Sequence, residues 1–152
     1  MTRQPTGYDL RIKRDGDKHR VFDVIRRKWV ALTPEEWVRQ QVIRYLLEEL
    51  QFPKALVSVE KQLLVHGLAR RTDIVLYNHS GMPVLIIECK APEVALSQLV
   101  ADQAARYNLS LQVPYLWVTN GERNAICQIS HTDGTWAWLS ALPAVEVLLG
   151  VG

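Results

Sequence analysis

The chain has few of the features that would place it in a secreted or membrane-bound class. Its two cysteines, Cys89 and Cys127, are too few for a disulfide framework. No apolar run approaches the ~20 residues that a membrane-spanning helix needs. The N-terminal stretch MTRQPTGYDLRIKR has no apolar signal region. We therefore expect a cytoplasmic protein with no membrane-bound segment.

Several catalytic and cofactor signatures are also missing. The histidines are scattered without the spacing of zinc ligands, and there is no glycine-rich phosphate-binding loop, no serine-hydrolase set and no internal repeat. What remains is a chain of 152 residues, 48% hydrophobic and 22% charged. These values indicate one globular domain, residues 1–152, that is large enough to bury a sizeable core.

The charge is unevenly distributed along the chain. Residues 1–30 hold nine lysines and arginines against four aspartates, a local charge of +5, so the remainder carries −3 of the net +2. A basic segment beside an acidic remainder suits a protein that holds both a polyanion and a metal ion, and we predict that residues 1–30 contact phosphate groups. A solvated surface hairpin would explain the same charge equally well.

The first third of the chain predicts a small β-rich arm followed by a helix. Residues 8–31 read as short strands around the turn signal Asp15-Gly16. Thr33, Pro34 and Glu36 form a helix start with a capping box, and this helix should run to about Gln51. We therefore divide the domain into a basic arm, residues 1–32, and a core, residues 33–152. Glu36 begins the core-facing side of the helix, and capping of the helix is its simplest role.

The central stretch, residues 70–92, predicts a β-hairpin. Residues 73–77 and 83–89 are rich in Val, Ile and Leu, and a turn-forming cluster separates them. Antiparallel pairs keep a constant sum of residue numbers, so a pair between Asn78 and Pro83 would place Asp73 directly opposite Glu88. Two facing carboxylates repel each other unless a cation lies between them, and oxygen ligands favour Mg²⁺, Mn²⁺ or Ca²⁺.

The remaining elements complete an α, β, β, β, α, β order. Residues 55–63 should form a strand on which Glu60 is either a further carboxylate of the site or a salt-bridge partner of a lysine. A second helix is predicted within residues 92–111, with Gln103 and Tyr107 on its apolar stripe, where they either line a site or pack in the core. A strand over 113–119, a hairpin of 124–130 with 135–139, and a short helix over 143–149 follow.

Three motifs in this order resemble the signature of the PD-(D/E)XK nuclease superfamily. Asp73 is followed by Glu88-Cys89-Lys90, and the flanking residues 71–75 and 87–92 resemble the nuclease domain at the N-terminus of type I restriction enzyme R subunits. Residues 103–107, QAARY, resemble the Q-x-x-x-Y motif of the RecB-like branch. Thr72 stands where many members of the superfamily have proline.

The resemblance implies a fold and a set of site residues. The fold would be a restriction-endonuclease-like αβββαβ core with a mixed central sheet, preceded by the β-rich arm. Asp73, Glu88 and the backbone carbonyl of Cys89 would bind Mg²⁺ or Mn²⁺, and Lys90 would act on the attacking water or on developing charge. The other residues assigned to the site are Gln103, Tyr107 and Glu36, with Arg70 and Arg71 as DNA contacts.

The sequence therefore predicts a Mg²⁺-dependent DNA endonuclease. The chain has no motor motif, so we expect a stand-alone relative of the R-subunit nuclease domain. The alternative is a catalytically silent nucleic-acid-binding module or a subunit of a larger restriction or repair assembly. DNA is the expected partner, and the sequence leaves open a homodimer or restriction and repair partner subunits.

Overall fold

A computed structural model describes residues 5–65 and 67–151 of the chain. Within these ranges the backbone forms three β-sheets and three α-helices. The strands are β1 (Ile12–Asp15), β2 (Lys18–Asp23), β3 (Lys28–Ala31), β4 (Val57–Val59), β5 (Gln62–Val65), β6 (Leu68–Arg71), β7 (Ile74–Tyr77), β8 (Pro83–Cys89), β9 (Tyr115–Thr119), β10 (Asn124–Ser130) and β11 (Thr135–Leu139).

The helices are α1 (Pro34–Arg44), α2 (Gln98–Asn108) and α3 (Val145–Leu149). Helix α1 continues directly into a π-helical turn, Tyr45–Glu49, and short 3₁₀ turns cover Lys54–Leu56 and Leu109–Leu111. Across the described ranges, the helices are too short or too polar for any of them to span a membrane.

The central sheet has six strands in the order β11-β10-β9-β8-β7-β4. Strands β8 and β9 are parallel, and the other neighbours are antiparallel, so the mixed α/β sheet that the sequence predicted is confirmed. The C-terminal hairpin, β10 and β11, has the predicted bounds. Strand β8 lies inside the sheet and is buried on both faces, which explains its continuous apolar sequence.

Each face of this sheet is covered by a different helix. Side chains of α1 pack on one face and those of α2 on the other, so the sheet has an apolar cluster on each of its faces. The α1 side contains Val38, Val42, Ile43, Leu46, Ile74, Leu76, Leu85, Ile87 and Trp117. The α2 side contains Ile86, Ala104, Ala105, Leu116, Val118, Cys127 and Ile129.

The predicted strand over residues 55–63 is divided in two. Strand β4 ends at Val59, and Glu60 has a φ of 53°, in the left-handed region that a strand cannot contain. The chain leaves the central sheet there and continues as β5, which pairs only with β6 in a separate two-stranded sheet. The sequence missed this hairpin because nothing in its residue pattern marks the break at Glu60.

The N-terminal arm forms an antiparallel sheet in the order β1-β2-β3, as its residue pattern predicted. Gly16 has a φ of 68° and makes the tight turn between the first two strands. The turn after β2 packs Val24 and Ile25 against the α1 side of the core. Arg3, which we counted in the basic arm, lies outside the described residues.

Helix α1 begins as predicted but ends differently. The Thr33 hydroxyl accepts a hydrogen bond from the backbone N–H of Glu36 at 3.0 Å, with Pro34 in the first turn. The reciprocal half of the predicted capping box is absent, because the Glu36 carboxylate binds Arg26, Arg39 and Gln40 instead. The regular helix stops seven residues before Gln51, and the π-helical turn covers most of that distance.

Helix α2 starts later and faces differently from the prediction. Its cap is Ser97, so residues 92–96 precede the helix instead of forming its first turns. Small residues face the core, whereas Leu99 and Tyr107 are 67% and 46% exposed. The prediction of an apolar stripe through Gln103 and Tyr107 is therefore wrong. The side of α2 that faces the sheet carries alanines instead, and these small residues allow the helix to approach the sheet closely.

Candidate active site

The hairpin of β7 and β8 has the register that brings Asp73 and Glu88 together. Strand partners include Ile74 with Ile87, and the same register continued by one residue places Asp73 opposite Glu88. The supposed pair of Asn78 with Pro83 is not formed, since Tyr77 pairs with Pro83. A register shift between Leu76 and Tyr77 compensates for this difference, so the predicted alignment holds at the far end of the hairpin.

Asp73 is held by hydrogen bonds on both of its carboxylate oxygens. Oδ2 accepts from the backbone N–H of Cys89 at 2.8 Å, and Oδ1 accepts from Arg39 Nη2 at 2.9 Å. Its own backbone carbonyl accepts from Glu60 N–H at 2.9 Å. The carboxylate is therefore fixed against the end of β8, because one of its two hydrogen-bond donors is a backbone N–H and only the other is a flexible side chain.

Glu88 lies in a more apolar environment than Asp73. Burial raises the pKa of its carboxyl group above the ordinary value, the hydrogen bond from Asn108 and the charge of Lys90 oppose this rise, and the charge of Asp73 adds to it. Asn108 Nδ2 donates to Glu88 Oε1 at 2.7 Å and to the carbonyl of Ala104 at 2.8 Å. A nearby cation would thus relieve an electrostatic cost that burial imposes on Glu88.

A cavity of about 450 Å³ opens beside these two carboxylates. It brings together six of the residues that the sequence assigned to the site. The lining consists of Asp73, Glu88, Lys90, Gln103, Tyr107 and Arg71, together with Glu60, Thr72, Val100 and Ala104. Side chains from the end of β6 and the β6–β7 connection, the end of β8, α2 and the β4–β5 corner therefore converge on one cleft.

Three predicted site residues do not line this cavity. Glu36 is nearly buried and binds arginines behind it. Arg70 lies at its edge, with its guanidinium 4.4 Å from the ring centre of Tyr107. The Cys89 thiol is buried and its pKa is raised well above the ordinary value by that burial, so the side chain stays a neutral thiol and only its backbone can face a metal ion.

Behind the cavity lies a network of ion pairs that we call the arginine network. Arg26 and Arg39 are its centres, and each binds several carboxylates. Arg26 contacts Asp23 (2.7 Å), Glu36 (2.9 Å) and Glu60 (3.0 Å); Arg39 contacts Glu36 (3.2 Å), Glu60 (3.3 Å) and Asp73 (2.9 Å); Arg71 contacts Glu60 (3.0 Å).

The arginine network lowers the pKa of two of its carboxyl groups, those of Glu60 and Asp23. Burial raises the pKa of Glu60, but the positive charges of Arg39 and Arg26 outweigh burial, and the net pKa lies below the ordinary value. Burial likewise raises the pKa of Asp23, and hydrogen bonds from Arg26 and Gln40 lower it below its ordinary value. Glu60 thus belongs to the cavity through arginine contacts, whereas the sequence favoured a surface pair with lysine.

Sequence reasoning missed Arg26, Arg39 and Asn108, which hold the site carboxylates. Arg39 lies on the buried side of α1 among hydrophobic residues, and a charged residue on that side is a signal that could have identified it. Asn108 lies four residues after Ala104 on the core-facing side of α2, where an amide must find a partner. Arg26 gives no such signal, because its position follows from the fold of the arm.

The donor chemistry of the site fits a hard divalent cation, although the donors are few. Asp73 and Glu88 offer carboxylate oxygens at one end of the cavity, the type of ligand that Mg²⁺ and Mn²⁺ prefer. Within residues 5–65 and 67–151, no group of three His, Cys, Asp or Glu side chains is arranged to hold a metal ion. Any bound Mg²⁺ would therefore need backbone, water or substrate oxygens as well.

These features define a mixed α/β domain with an acidic cleft at the end of its central hairpin. The profile of one protein family, type I restriction enzyme R protein N terminus (HSDR_N), matches residues 34–143, well over half of the chain. The chain belongs to this family, so the sequence-based resemblance to the R-subunit N-terminal domain is confirmed. The matched range excludes the three-stranded arm, and with it Arg26.

One of the solved structures that resemble this chain is only distantly similar to it. It is the fragment structure of an HsdR subunit of a type I restriction enzyme from Vibrio vulnificus YJ016, with 20% sequence identity and a TM-score of 0.49. The match covers 72% of this chain and 23% of that chain. Comparison with curated proteins found no match.

Proposed function

We propose that this domain is a metal-dependent nuclease of the PD-(D/E)XK type that hydrolyses phosphodiester bonds in DNA. The observation that carries the proposal is the placement of Asp73 opposite Glu88, with Lys90 beside them in one cavity. Membership of a restriction-enzyme family is consistent with this chemistry. DNA is then the substrate, as it is for a restriction enzyme.

Asp73 and Glu88, with the backbone carbonyl of Cys89, are the residues proposed to hold Mg²⁺ or Mn²⁺. When bound, the metal ion would polarise the phosphodiester and lower the pKa of a bound water. Arg39 and the Cys89 N–H fix the Asp73 carboxylate, and Asn108 fixes that of Glu88. This support matters because a ligand that is already oriented loses less conformational entropy on binding.

The charge balance around the cavity favours the entry of a divalent cation. In the arginine network and the cavity lining, five carboxylates meet four cationic side chains, which leaves one formal negative charge before Arg70 at the rim is counted. The carboxylates are Asp23, Glu36, Glu60, Asp73 and Glu88, and the cations are Arg26, Arg39, Arg71 and Lys90. One divalent cation would change this formal charge from −1 to +1, and the cleft would then attract a phosphate group.

Lys90 and Arg71 are the cationic groups proposed to act on the phosphate. Lys90 offers only hydrogen-bond donors, so it cannot bind a metal ion as an ammonium group. Its role is to orient the attacking water or to stabilise the negative charge that develops on the phosphate. Arg71 has a 73% exposed side chain, and its Nη2 is bound to Glu60 at 3.0 Å, so it can reach a phosphate at the mouth of the cavity.

Gln103 and Tyr107 are proposed to position the DNA strand. Both lie on the exposed side of α2, one turn apart, and both line the cavity opposite the carboxylates. The Arg70 guanidinium stacks on the Tyr107 ring at 4.4 Å, which places a further positive charge at the rim. A strand that enters the cleft would pass between this pair and the hairpin.

One observation favours the second candidate, a DNA-binding module without catalysis. Both oxygens of Asp73 accept hydrogen bonds within the protein, and Glu88 Oε1 accepts one from Asn108. The carboxylates are therefore stabilised without a metal ion. A module of this kind would bind DNA through the same cleft and leave the phosphodiester bonds intact.

A cleavage assay on circular and linear DNA, with Mg²⁺, Mn²⁺ or EDTA, separates the two candidates. The nuclease proposal expects cleavage that requires the metal ion and is lost in a Lys90→Ala variant. Conversion of the circular substrate to nicked or linear forms would identify endonuclease action. Binding of the same DNA with no cleavage under any metal condition would reject the nuclease and support the binding module.

A further inference from the structure

The outer face of the three-stranded arm carries an ordered group of positive charges. Pairing places Lys13 opposite Arg20 and Phe22 opposite Trp29, and paired residues project from the same face. Arg11 joins this face beside Phe22, whose N–H donates to the Arg11 carbonyl at 2.9 Å. On the opposite face Val21 is fully buried whereas Ile12 is 45% exposed, so only the part of that face near the β2–β3 turn packs against the protein. We call the exposed side the outer face; its charged members are Arg11, Lys13, Lys18, Arg20 and Asp15.

Two aromatic rings hold two of the positive groups of this face, those of Arg11 and Lys13, in place. Phe22 and Trp29 pack edge to face with their ring centres 5.4 Å apart. The Arg11 guanidinium lies 4.9 Å from the Phe22 ring centre and 5.2 Å from that of Trp29, and Lys13 Nζ lies 4.3 Å from the Trp29 ring centre. Cation–π contacts of this kind restrict long side chains that would otherwise move freely. The cations are thus arranged before any ligand arrives, which lowers the entropy cost of binding.

We propose that this outer face binds the sugar–phosphate backbone of duplex DNA. Four cations against the single Asp15, which is paired with Arg20 at 2.7 Å, give the face a formal charge of +3. The aromatic rings already bear cations, so they serve as supports for phosphate-binding groups, and unpaired bases are not the ligand. At about 3.4 Å per residue, β2 spans about 17 Å, close to half a helical turn of DNA. The face therefore matches a short section of one backbone.

The arm is joined to the acidic cleft through Arg26. Arg26 follows β2 and turns inward, where it binds Glu36 and Glu60 instead of facing solvent. Glu60 lines the cavity, so the DNA-binding face is rigidly connected to the cleft. This inference rests on the proposed function for its choice of DNA, and it narrows the phosphate-binding region from all of residues 1–30 to one face.

The test is the salt dependence of binding of the full chain to a fluorescent 20-base-pair duplex in EDTA, where cleavage cannot occur. An Arg11→Gln, Lys13→Gln double variant should reduce the slope of log affinity against log salt concentration by about 2, since each phosphate contact contributes roughly 0.9. The matched control, Lys54→Gln with Arg123→Gln, removes two exposed charges elsewhere and should leave the slope unchanged. Lys18→Gln is a second variant at the exposed turn, with an expected slope reduction of about 1.

A Trp29→Leu variant tests the role assigned to the rings. It keeps every charge, so the slope should stay the same while binding weakens about two- to fivefold. An unchanged slope in both charge variants would overturn the proposal, whether or not the protein is a nuclease. Tighter binding to single-stranded than to duplex DNA, lost in Trp29→Leu, would overturn it in favour of base stacking. A reduced slope in a protein that cleaves nothing would uphold this inference and reject only the nuclease.

Discussion

Arg39 Nη2 lies 2.9 Å from Asp73 Oδ1, and this ion pair joins helix α1 to the start of the β7–β8 hairpin of the central sheet. The two residues are separated by 34 positions in the chain. Burial lowers the pKa of the Arg39 guanidinium, but the charges of Glu36 and Asp73 raise it above its ordinary value, so Arg39 is always charged. This fixed positive charge orients the Asp73 carboxylate, which lines the cavity.

Replacing Arg39 with methionine should destabilise the protein strongly. The variant leaves the carboxylates of Glu36, Glu60 and Asp73 without one of their cationic partners in a mostly buried network. Loss of one partner from a buried ion pair costs about 3–5 kcal/mol in the free energy of unfolding. Urea unfolding of the two proteins in EDTA measures this difference.

The matched control for that measurement is Arg44→Met on the same helix. Arg44 is more exposed, pairs with Glu48 at the surface and donates one hydrogen bond to the Asp9 carbonyl, so its replacement should cost about 1–2 kcal/mol. If Arg39→Met and Arg44→Met lose the same free energy of unfolding, the arginine network contributes no more to stability than the surface contacts of Arg44.

Asn108→Ala should weaken divalent metal binding while the fold is retained. Asn108 donates to Glu88 Oε1 at 2.7 Å, and without this bond the proposed metal ligand is free to rotate. Loss of a residue that orients a metal ligand typically reduces metal affinity about 10- to 100-fold. Isothermal titration with Mn²⁺ measures the affinity, and Gln98→Ala on the exposed side of the same helix is the control. Equal Mn²⁺ affinity in Asn108→Ala and the parent protein would contradict the role given to Asn108.

Asp23 should make the stability of the protein depend on pH in the acidic range. Its folded-state pKa is lowered, so its ionised form stabilises the folded state above the unfolded-state pKa of about 3.9. This contribution is lost as the pH falls through the lower folded-state pKa. Asp23→Asn should cost about 2 kcal/mol at pH 7, since hydrogen bonds to a charged group are weakened.

The check is the unfolding free energy of the parent and Asp23→Asn proteins between pH 7 and pH 2. The difference between them should be constant above about pH 5 and should shrink below about pH 4. A difference that grows as the pH falls would have the wrong sign for a carboxylate with a lowered pKa.

The sequence predicted those parts of the fold and site that depend on local pattern. Two short runs of Val, Ile and Leu on either side of a turn-forming cluster located β7 and β8, and the constant register placed Asp73 opposite Glu88 even though the supposed turn pair was wrong. The hairpin of β10 and β11 was also located from the sequence, with the bounds that were predicted. The register of an antiparallel hairpin depends on its two strands and the turn between them, which are close in sequence, so a local pattern is enough to determine it.

What the sequence could not predict depends on contacts between distant segments. The pairs of Arg39 with Asp73 and Arg26 with Glu60 join residues 34 positions apart, and no local pattern encodes them. If only the repulsion between Asp73 and Glu88 were considered, Asp73→Ala would be expected to stabilise the metal-free protein. The ion pair reverses this expectation, since the variant would leave Arg39 with one partner fewer.

The proposal that Asp73 binds the metal ion, whereas Lys90 acts only in the chemical step, is tested most directly by comparing the Lys90→Ala and Asp73→Ala variants. Their Mg²⁺ affinity and their DNA cleavage are both measured. Lys90→Ala should abolish cleavage and keep, or tighten, Mg²⁺ binding, because a positive charge leaves a cavity that a cation enters. Asp73→Ala should lose both, because a metal ligand is removed. Full metal-dependent cleavage by Lys90→Ala, or unchanged Mg²⁺ affinity in Asp73→Ala, would contradict the nuclease site proposed here.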